Sequence, residues 1–365
     1  MTTGRAVVAM SGGVDSSVAA ALLVDAGYDV TGIMLKLWRG DETNHSSGCC
    51  NLGAAEDARR VADVLGIPFY VLNFAEHFEN TVVRNFKQSY VSGRTPNPCV
   101  RCNQWIKFDA LFDRAKALGA DLLATGHYAR VHELDGRFRL LRGLDSAKDQ
   151  SYVLWMLSQE QLRSCRFPVG EMNKSETRRL AGSLGLRTAR KPDSQEICFV
   201  RNGDFDSYVS EQLGVAGDPG PVVDTSGKVV GRHRGIGRYT IGQRKGLGIS
   251  LGVPVFVTSI DADSNSIVVG DKTDLEVSGF YAGEACFTTR RPADGTAVFV
   301  QHRAHGEVHA GTVRQSGGDR FEVRYESPVA AVAPGQSAAL YSGSDPDELI
   351  GGGVIDSTVP ARAAV

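Results

Sequence analysis

Cys99 and Cys102 stand two residues apart in "NPCVRCNQWIKF" (97–108), with Arg101 between them and Lys107 further on. A third thiol, Cys198, lies far along the chain in "RKPDSQEICFV" (190–200). A C-x-x-C pair can be half of a zinc site, a redox dithiol, part of a cluster site or a catalytic thiol. A structural zinc site is disfavoured, because the chain has no second C-x-x-C. Cys102 lies just ahead of a helical pattern and beside Arg101. Both a helix N-terminus and a neighbouring cation raise the thiolate fraction of a cysteine. A second chemistry is written in "VVAMSGGVDSSVAA", where Ser11 to Ser17 join an apolar run to a helical one. Glycines let backbone N–H groups approach phosphate oxygens, and the helix N-terminus adds a favourable dipole. Ser11, Ser16 and Ser17 supply hydroxyl donors, and Asp15 could position Mg²⁺ on a pyrophosphate. The lysine of G-x-x-x-x-G-K-[ST] is absent and so is G-x-G-x-x-G, so neither of those loops is present.

These groups need a scaffold, and the pattern supplies one. Over the first two hundred residues, apolar runs ("AVVAM", "DVTGIML", "IPFYVLNF", "ADLLATGHYA") alternate with helical segments ("SSVAAALLVDAG", "AAEDARRVADVLG", "KFDALFDRAKALG"). In the last of these, Phe108, Leu111, Phe112, Ala115 and Leu118 share one face. Such alternation predicts an α/β, doubly wound parallel sheet. After about Gly203 the pattern changes, and from Asp218 short Val-, Ile- and Phe-rich runs are punctuated by Gly, Pro and Asp. The expectation is a catalytic domain over 1–205, a central β-rich domain over 206–277 and a C-terminal β-barrel over 278–365, with "VSGF" (277–280) as a joint. The tail "PARAAV" reads as frayed.

At 365 residues the chain exceeds one ordinary core, and its 42% hydrophobic content is that of a globular protein. No apolar run approaches the roughly 20 residues of a membrane span. The start reads as a strand and loop and not as an export signal, so a cytoplasmic location with no membrane partner is expected. Seven scattered cysteines do not form a secreted disulfide framework. Cys49, Cys50, Cys165 and Cys286 read as packing residues. A net charge of −2 gives no global attraction to nucleic acid, so such binding requires a local basic surface.

The glycine loop resembles the SGGxDS loop of the PP-loop ATP pyrophosphatase superfamily, whose members activate an oxygen by adenylylation. That resemblance implies ATP and Mg²⁺, and a nucleotide site at Ala9, Met10, Ser11, Gly12, Gly13, Val14, Asp15 and Ser16. It adds Leu35, where this fold lays an adenine, and Gly126 at a later strand end, next to His127. "NPCVRCNQWIKF" and "DSQEICFV" together resemble the signature phrases of the tRNA-specific 2-thiouridylase family. "GCCNLGAAEDARRVADVLGIPFYV", "LLATGHYAR", "AKDQSYVLWML" and "GRYTIGQRKGLGI" extend the likeness in order. The likeness is strong over residues 5 to about 260 and weaker beyond.

What the family does fits the chemistry in hand. A carbonyl oxygen is a poor leaving group until it is adenylylated, and a cysteine persulfide can then deliver sulfur. By resemblance, Cys198 carries the persulfide, Cys102 is the nucleophile, and the two end as a disulfide. The partners implied are tRNA and a persulfide sulfur donor, either a cysteine desulfurase or a sulfur-relay protein. Cys99 departs from a common form of the family, which has Asp there. Cys99, Cys102 and Cys198 could therefore hold a four-iron–four-sulfur cluster, and both mechanisms stay open at this point, as does a packing role for Cys99.

The resemblance places Asn97, Pro98 and Cys99 at the target base, and Lys148, Asp149 and Gln150 near the tRNA, although Asp149 also reads as a helix cap. No Asp or Glu occurs between Asp224 and Asp261, while Lys228, Arg232, Arg234, Arg238, Arg244 and Lys245 do, with His233 and Tyr239 among them. Such a stretch can bind phosphates and stack on bases. Residues 178–191 form a second basic segment, and Arg303 and His305 are candidates for the anticodon arm. The rival readings are another PP-loop tRNA ligase, similar to lysidine synthetase, and a nucleotide- or RNA-binding protein without catalysis. The first needs neither Cys102 nor Cys198, and the second binds ATP without releasing pyrophosphate.

Overall fold

β1 (Arg5–Ala9) is buried on both sides: Ala6 and Val8 pack into one core and Val7 into another. A strand covered on both faces belongs inside a parallel sheet. β2 (Asp29–Lys36), β3 (Phe69–Asn73) and β4 (Leu122–Thr125) complete most of it. The hairpin β5 (Ala129–Leu134) and β6 (Arg137–Arg142) leaves the sheet before β7 (Cys165–Arg166) returns to its edge. The order is β3-β2-β1-β4-β7, all neighbours parallel. The helix Val14–Asp25 is apolar almost all round and is buried accordingly, beside Leu52–Leu65 and Lys174–Ser183 on one face. Two long helices, 75–91 and 98–117, cover the other. The computed structural model describes residues 3–38, 52–193, 197–200, 205–212, 217–249 and 252–361. Cys49 and Cys50, expected to pack, and Ser194 to Glu196 of the Cys198 phrase lie outside the described residues, as does most of the tail.

The helix over 98–117 begins ten residues earlier than its apolar spacing predicts. Asn97 caps it by accepting the Val100 N–H at 3.2 Å, and Pro98 takes the first helical position. Its middle, Cys102–Leu111, is wound as a π-helix. The residues it buries are Asn103, Ile106, Phe108 and Leu111, so the apolar stripe shows only from Ile106 onward.

After the helix Phe205–Gln212, β8 (Gly220–Asp224), β9 (Val229–His233), β10 (Phe256–Asp261) and β11 (Ser266–Gly270) form a small sheet ordered β10-β11-β8-β9. β12 (Glu276–Phe287), β13 (Thr296–Gln301), β14 (Val308–Gln315), β15 (Phe321–Ala330), β16 (Ser337–Ser342) and β17 (Glu348–Pro360) follow. They are ordered β12-β15-β14-β13-β16-β17, and β12 also pairs with β17, so six antiparallel strands close on themselves. "VSGF" lies near the start of β12, the first barrel strand, just past the last strand of the central sheet. Gly279 serves close strand approach, because a Cβ there would lie 2.2 Å from the Val323 carbonyl oxygen. One feature departs from the sequence reading. The hairpin β5–β6, read with the first domain, joins the barrel sheet through Leu140 and Leu141, which pair with Leu349 and Glu348.

Candidate active site

The sheet order reverses between β1 and β4, and the crevice at the carboxyl ends of such strands is where this architecture binds ligands. The loop Ser11–Gly13 leaves β1 there, and Gly126 leaves β4 beside it. A Cβ on Gly126 would lie 2.5 Å from the Ser16 nitrogen, so only glycine lets the two loops touch. Gly12 has φ +71°, and a Cβ there would meet the Ala54 carbonyl oxygen at 2.2 Å. Gly13 is the N-cap of Val14–Asp25 and brings no side-chain cap, so the first-turn N–H groups face the crevice as an anion site. Ser11 N donates to Ser16 Oγ at 3.1 Å, and Ser17 Oγ donates to the Gly13 carbonyl at 2.8 Å. These serine bonds shape the loop. Ala9 ends β1, and buried Met10 donates its N–H to Ile33 O at 2.8 Å. Leu35, the penultimate residue of β2, is buried.

Asp15 leads to residues that the sequence reading did not single out. Lys174 Nζ donates to both Asp15 oxygens at 2.8 Å, and it also lies 2.9 Å from Asp193 Oδ1. Tyr128 Oη donates to Asp15 Oδ1 at 2.9 Å. Lys148 and Arg178 reach Asp193 at 2.8 and 2.9 Å. Burial works against the Asp193 charge, but hydrogen bonds from Lys148 and Lys174 outweigh it and pull its carboxyl down to about 2. Lys191 donates to the Gly12 carbonyl at 2.9 Å and to Asp57 at 2.8 Å, tying the glycine loop to its neighbours. Lys174 carried one local signal. It is the first residue of a helix capped by Asn173 and Glu176, where a cation opposes the helix dipole and calls for a carboxylate partner.

Asp193 stands five residues ahead of Cys198 in the chain, and Lys174 joins it to Asp15 of the glycine loop. Phe199, next to Cys198, packs edge-on against Phe78 and Phe86 of the helix 75–91 at 5.8 and 5.0 Å. The Cys102 helix packs on that same helix, and Cys102 and Ile197 both border one core. Cys198 and Cys99 are exposed and Cys102 is half-buried. Because the helix starts at Pro98, Cys102 lies inside it, a turn past its N-terminus; Cys99 is the thiol in the first turn. Cys102 is therefore not at the helix N-terminus that its place ahead of the helical pattern suggests. Among the described residues, no three His, Cys, Asp or Glu side chains converge to hold an ion. Cys99, Cys102 and Cys198 therefore do not fit a cluster as they stand, and no step is derived through one. Cys165 is buried, which pushes its thiol up, and Cys286 Sγ donates to the Met156 carbonyl at 3.2 Å; both pack as expected.

Several residues expected at tRNA have inward partners. Asp149 is 8% exposed, and its carboxylate accepts from Arg142, Gly143 N, Ser151 N and Ser151 Oγ; the N-cap of the short helix Ser151–Leu154 is Gln150, not Asp149. Lys148 is engaged with Asp193, while Gln150 is exposed and its Oε1 accepts the Tyr128 N–H at 3.0 Å. His127 is buried against Phe108 and Phe167, with Nδ1 2.6 Å from Thr125 Oγ1; burial, then Lys107, lowers its pKa well below the usual histidine range. It is a neutral packing residue. His233 and Tyr239 are also buried and pack edge-on at 5.9 Å, so neither presents a ring to a base. Arg232, Arg234, Arg244, Lys245, Arg303 and His305 are exposed. Arg303 donates to the Ala331 carbonyl at 2.9 Å, and Ala331 abuts Gly242, so the "GQRKG" loop and the barrel share one basic rim.

A doubly wound sheet with a glycine phosphate loop at its switch point, a central sheet and a closed barrel defines a three-part PP-loop enzyme. Family models match in the same order: the tRNA methyl transferase HUP domain over residues 4–202, the tRNA methyl transferase PRC-barrel domain over 206–271 and the aminomethyltransferase beta-barrel domain over 277–355. The chain is 48% identical over 356 residues to the tRNA-specific 2-thiouridylase MnmA of Moorella thermoacetica, covering 96% of this chain and 99% of that one. It is 45% identical over 363 residues to that of Natranaerobius thermophilus (97% and 98% covered), and 46% over 361 residues to that of Geobacter metallireducens (97% of each). The chain belongs to the tRNA-specific 2-thiouridylase family. That membership removes the lysidine synthetase-like and non-catalytic readings. No described helix is long and apolar enough to cross a membrane.

Proposed function

We propose that this enzyme replaces the 2-oxygen of a tRNA uridine with sulfur, using ATP and a persulfide on Cys198. The observation that carries this reading is the shared support of the two chemistries. Lys174 bridges Asp15 of the glycine loop to Asp193, five residues ahead of Cys198 in the chain, while Phe199 and the Cys102 helix pack on one helix, 75–91.

The first-turn N–H groups after Gly13 bind the triphosphate, with Lys174 and Lys148 supplying positive charge. Asp15 and Asp193 hold an ammonium between them, so their hard carboxylate oxygens fit Mg²⁺. When bound, Mg²⁺ neutralises the pyrophosphate leaving group. The uridine 2-oxygen attacks the α-phosphorus and pyrophosphate leaves, giving an adenylylated base. The terminal sulfur of the Cys198 persulfide then attacks C2, and AMP departs with the oxygen. Cys102 thiolate next attacks the Cys198 sulfur. The S–S bond to the transferred sulfur breaks, its electron pair becomes the 2-thiouridine sulfur, and a Cys102–Cys198 disulfide remains. A thiol reductant must reopen that disulfide, and a cysteine desulfurase or sulfur-relay protein must reload Cys198. Asn97, Pro98 and Cys99 lie at the turn where the target base enters, and Arg244, Lys245 and Arg303 hold the tRNA backbone. Gln150 is the member of its triplet left exposed for RNA.

The test is nucleoside mass spectrometry of tRNA incubated with ATP, Mg²⁺ and a persulfide donor. Cys198→Ser should yield no 2-thiouridine while still releasing pyrophosphate, because a hydroxyl cannot carry a persulfide. Full thiolation by Cys198→Ser overturns the assignment.

A further inference from the structure

Arg101, the residue before Cys102, is a buried cation: its side chain is 8% exposed. Its guanidinium forks onto Glu284 of β12, with Nη1 donating to Oε2 and Nη2 to Oε1, both at 2.6 Å. Nη1 also donates to Gln104 Oε1 at 2.9 Å, and the guanidinium lies over Trp105 at 4.7 Å. Glu284 is unusual in its own right. It has φ +51°, in the left-handed region that non-glycine residues avoid, and the pairing of β12 with β17 slips register between Gly283 and Cys286 at this point. A bulge of this kind re-aims one side chain, and here it sends the carboxylate out of the barrel to the cysteine helix.

Other barrel contacts hold the approach to that helix. Thr95 N donates to the Pro334 carbonyl at 2.9 Å, Gln336 Nε2 donates to the Thr95 carbonyl at 3.0 Å, and Arg94 reaches the Ile355 carbonyl and Asp356 Oδ1, each at 3.0 Å. The loop over 94–97 is thus pinned at one end and the first helical turn at the other. Stability alone does not account for the arrangement. An ion pair whose carboxylate is 50% exposed adds little stability, and a left-handed glutamate adds backbone strain. Orientation does account for it, since a two-bond fork fixes the angle as well as the distance of the helix it holds.

We propose that Glu284 is a positioning residue for sulfur transfer: through Arg101 it sets the pose of Cys102, which makes the C-terminal barrel part of the thiol site. The proposal rests on the functional reading above. Its test compares the parent with Glu284→Gln and with the double variant Arg101→Met/Glu284→Gly. The double variant removes both charges and relaxes the backbone, and is expected to melt near the parent temperature. In both, 2-thiouridine kcat should fall by about 100-fold, as for a displaced reacting group. The KM for tRNA and ATP-dependent pyrophosphate release should stay near parental, and the alkylation rate of Cys102, mapped by mass spectrometry, should change severalfold. Undiminished thiolation in the folded double variant overturns the proposal. So does a double variant that cannot fold at assay temperature, since the pair would then serve stability, or a loss of tRNA affinity that accounts for the whole defect. A parent that makes no 2-thiouridine refutes the functional reading instead, and the Cys102 alkylation rates still report whether the clamp exists.

Discussion

The glycine loop and the cysteine helix are built in opposite ways. The loop is positioned from within its own unit: β1 and the helix Val14–Asp25 fix its ends, and Gly126 packs against it from the adjacent strand. The cysteine helix is positioned from outside. Its entry is held by contacts with residues 334–336 and 355–356, and its first turn by Glu284, 183 positions away from Arg101. On the proposed function, activation of the base would depend on a local element and sulfur delivery on the barrel remaining docked. The chemistry gives a reason for such a division. Phosphate is bound by backbone N–H groups that any well-formed turn supplies, whereas a thiol must be aimed at one carbon of a bulky substrate.

The sharpest way to break this comparison is to remove the charge at the loop. Asp15→Ala should lower ATP-dependent pyrophosphate release by at least about 100-fold, since a carboxylate that orients Lys174 and can hold Mg²⁺ is gone. The variant should stay folded, because Lys174 keeps Asp193 as a partner and Tyr128 keeps Thr177 at 3.0 Å. Persulfide loading of Cys198, read by mass spectrometry, should persist. Normal pyrophosphate release would remove Asp15 from the site. Loss of persulfide loading as well would mean that the two regions are not separable.

The same contrast explains what the sequence could tell. The loop was legible because its whole logic sits within a few residues: apolar strand, paired glycines, serines, then helix. The doubly wound sheet was legible because its strands are short and separately bounded, and the β-rich remainder because Gly, Pro and Asp punctuate its Val-, Ile- and Phe-rich runs. The start of the cysteine helix was also written locally, as Asn97 followed by Pro98. It went unread because residues 101–104 are polar or cysteine and carry no apolar stripe. Lys174, Lys191 and Asp193 were within view as charges, but their partners come from elsewhere in the chain. Glu284 offered no signal at all: its role comes from a bulge and from docking, neither of which a single strand pattern encodes. His233 and Tyr239 were misplaced on the surface because a glycine-rich basic run reads as a loop, whereas the tight turn at Gly235 folds both rings inward.

A smaller effect sharpens the comparison at the RNA rim, where central sheet and barrel meet. Arg244→Gln with Lys245→Gln should weaken tRNA binding on the order of tenfold at moderate salt and flatten the slope of log K against log salt by about 1.5, since two phosphate contacts are lost. Filter binding over a salt series measures both. Stability should be unchanged, because both side chains are exposed. An unchanged slope would assign this run to a solvated face and leave Arg303 and its neighbours to bind the RNA.

The smallest expected effect concerns how long the barrel stays intact to hold its clamp. His302 is 5% exposed, its Nδ1 has no hydrogen-bond partner, and its ring stacks on His309 at 5.4 Å. Burial, then the nearby His309 and Arg303, lowers its pKa from 6.5 to about 4. The folded pKa lies below the unfolded one, so the folded state binds the proton more weakly. The stability tied to the neutral ring is present in full above pH about 6.5, and is lost progressively as pH falls through the folded value. Over that window His302 accounts for a loss of about 3 kcal/mol at most. Melting curves between pH 7 and pH 4 should therefore show a decline that is shallower in His302→Gln, whose amide does not titrate. His127, a second buried neutral ring, stands next to Gly126 at the glycine loop, so His302→Gln should remove only the barrel's part of the decline. If His302→Gln melts with the parent's pH dependence, the barrel's acid sensitivity originates elsewhere.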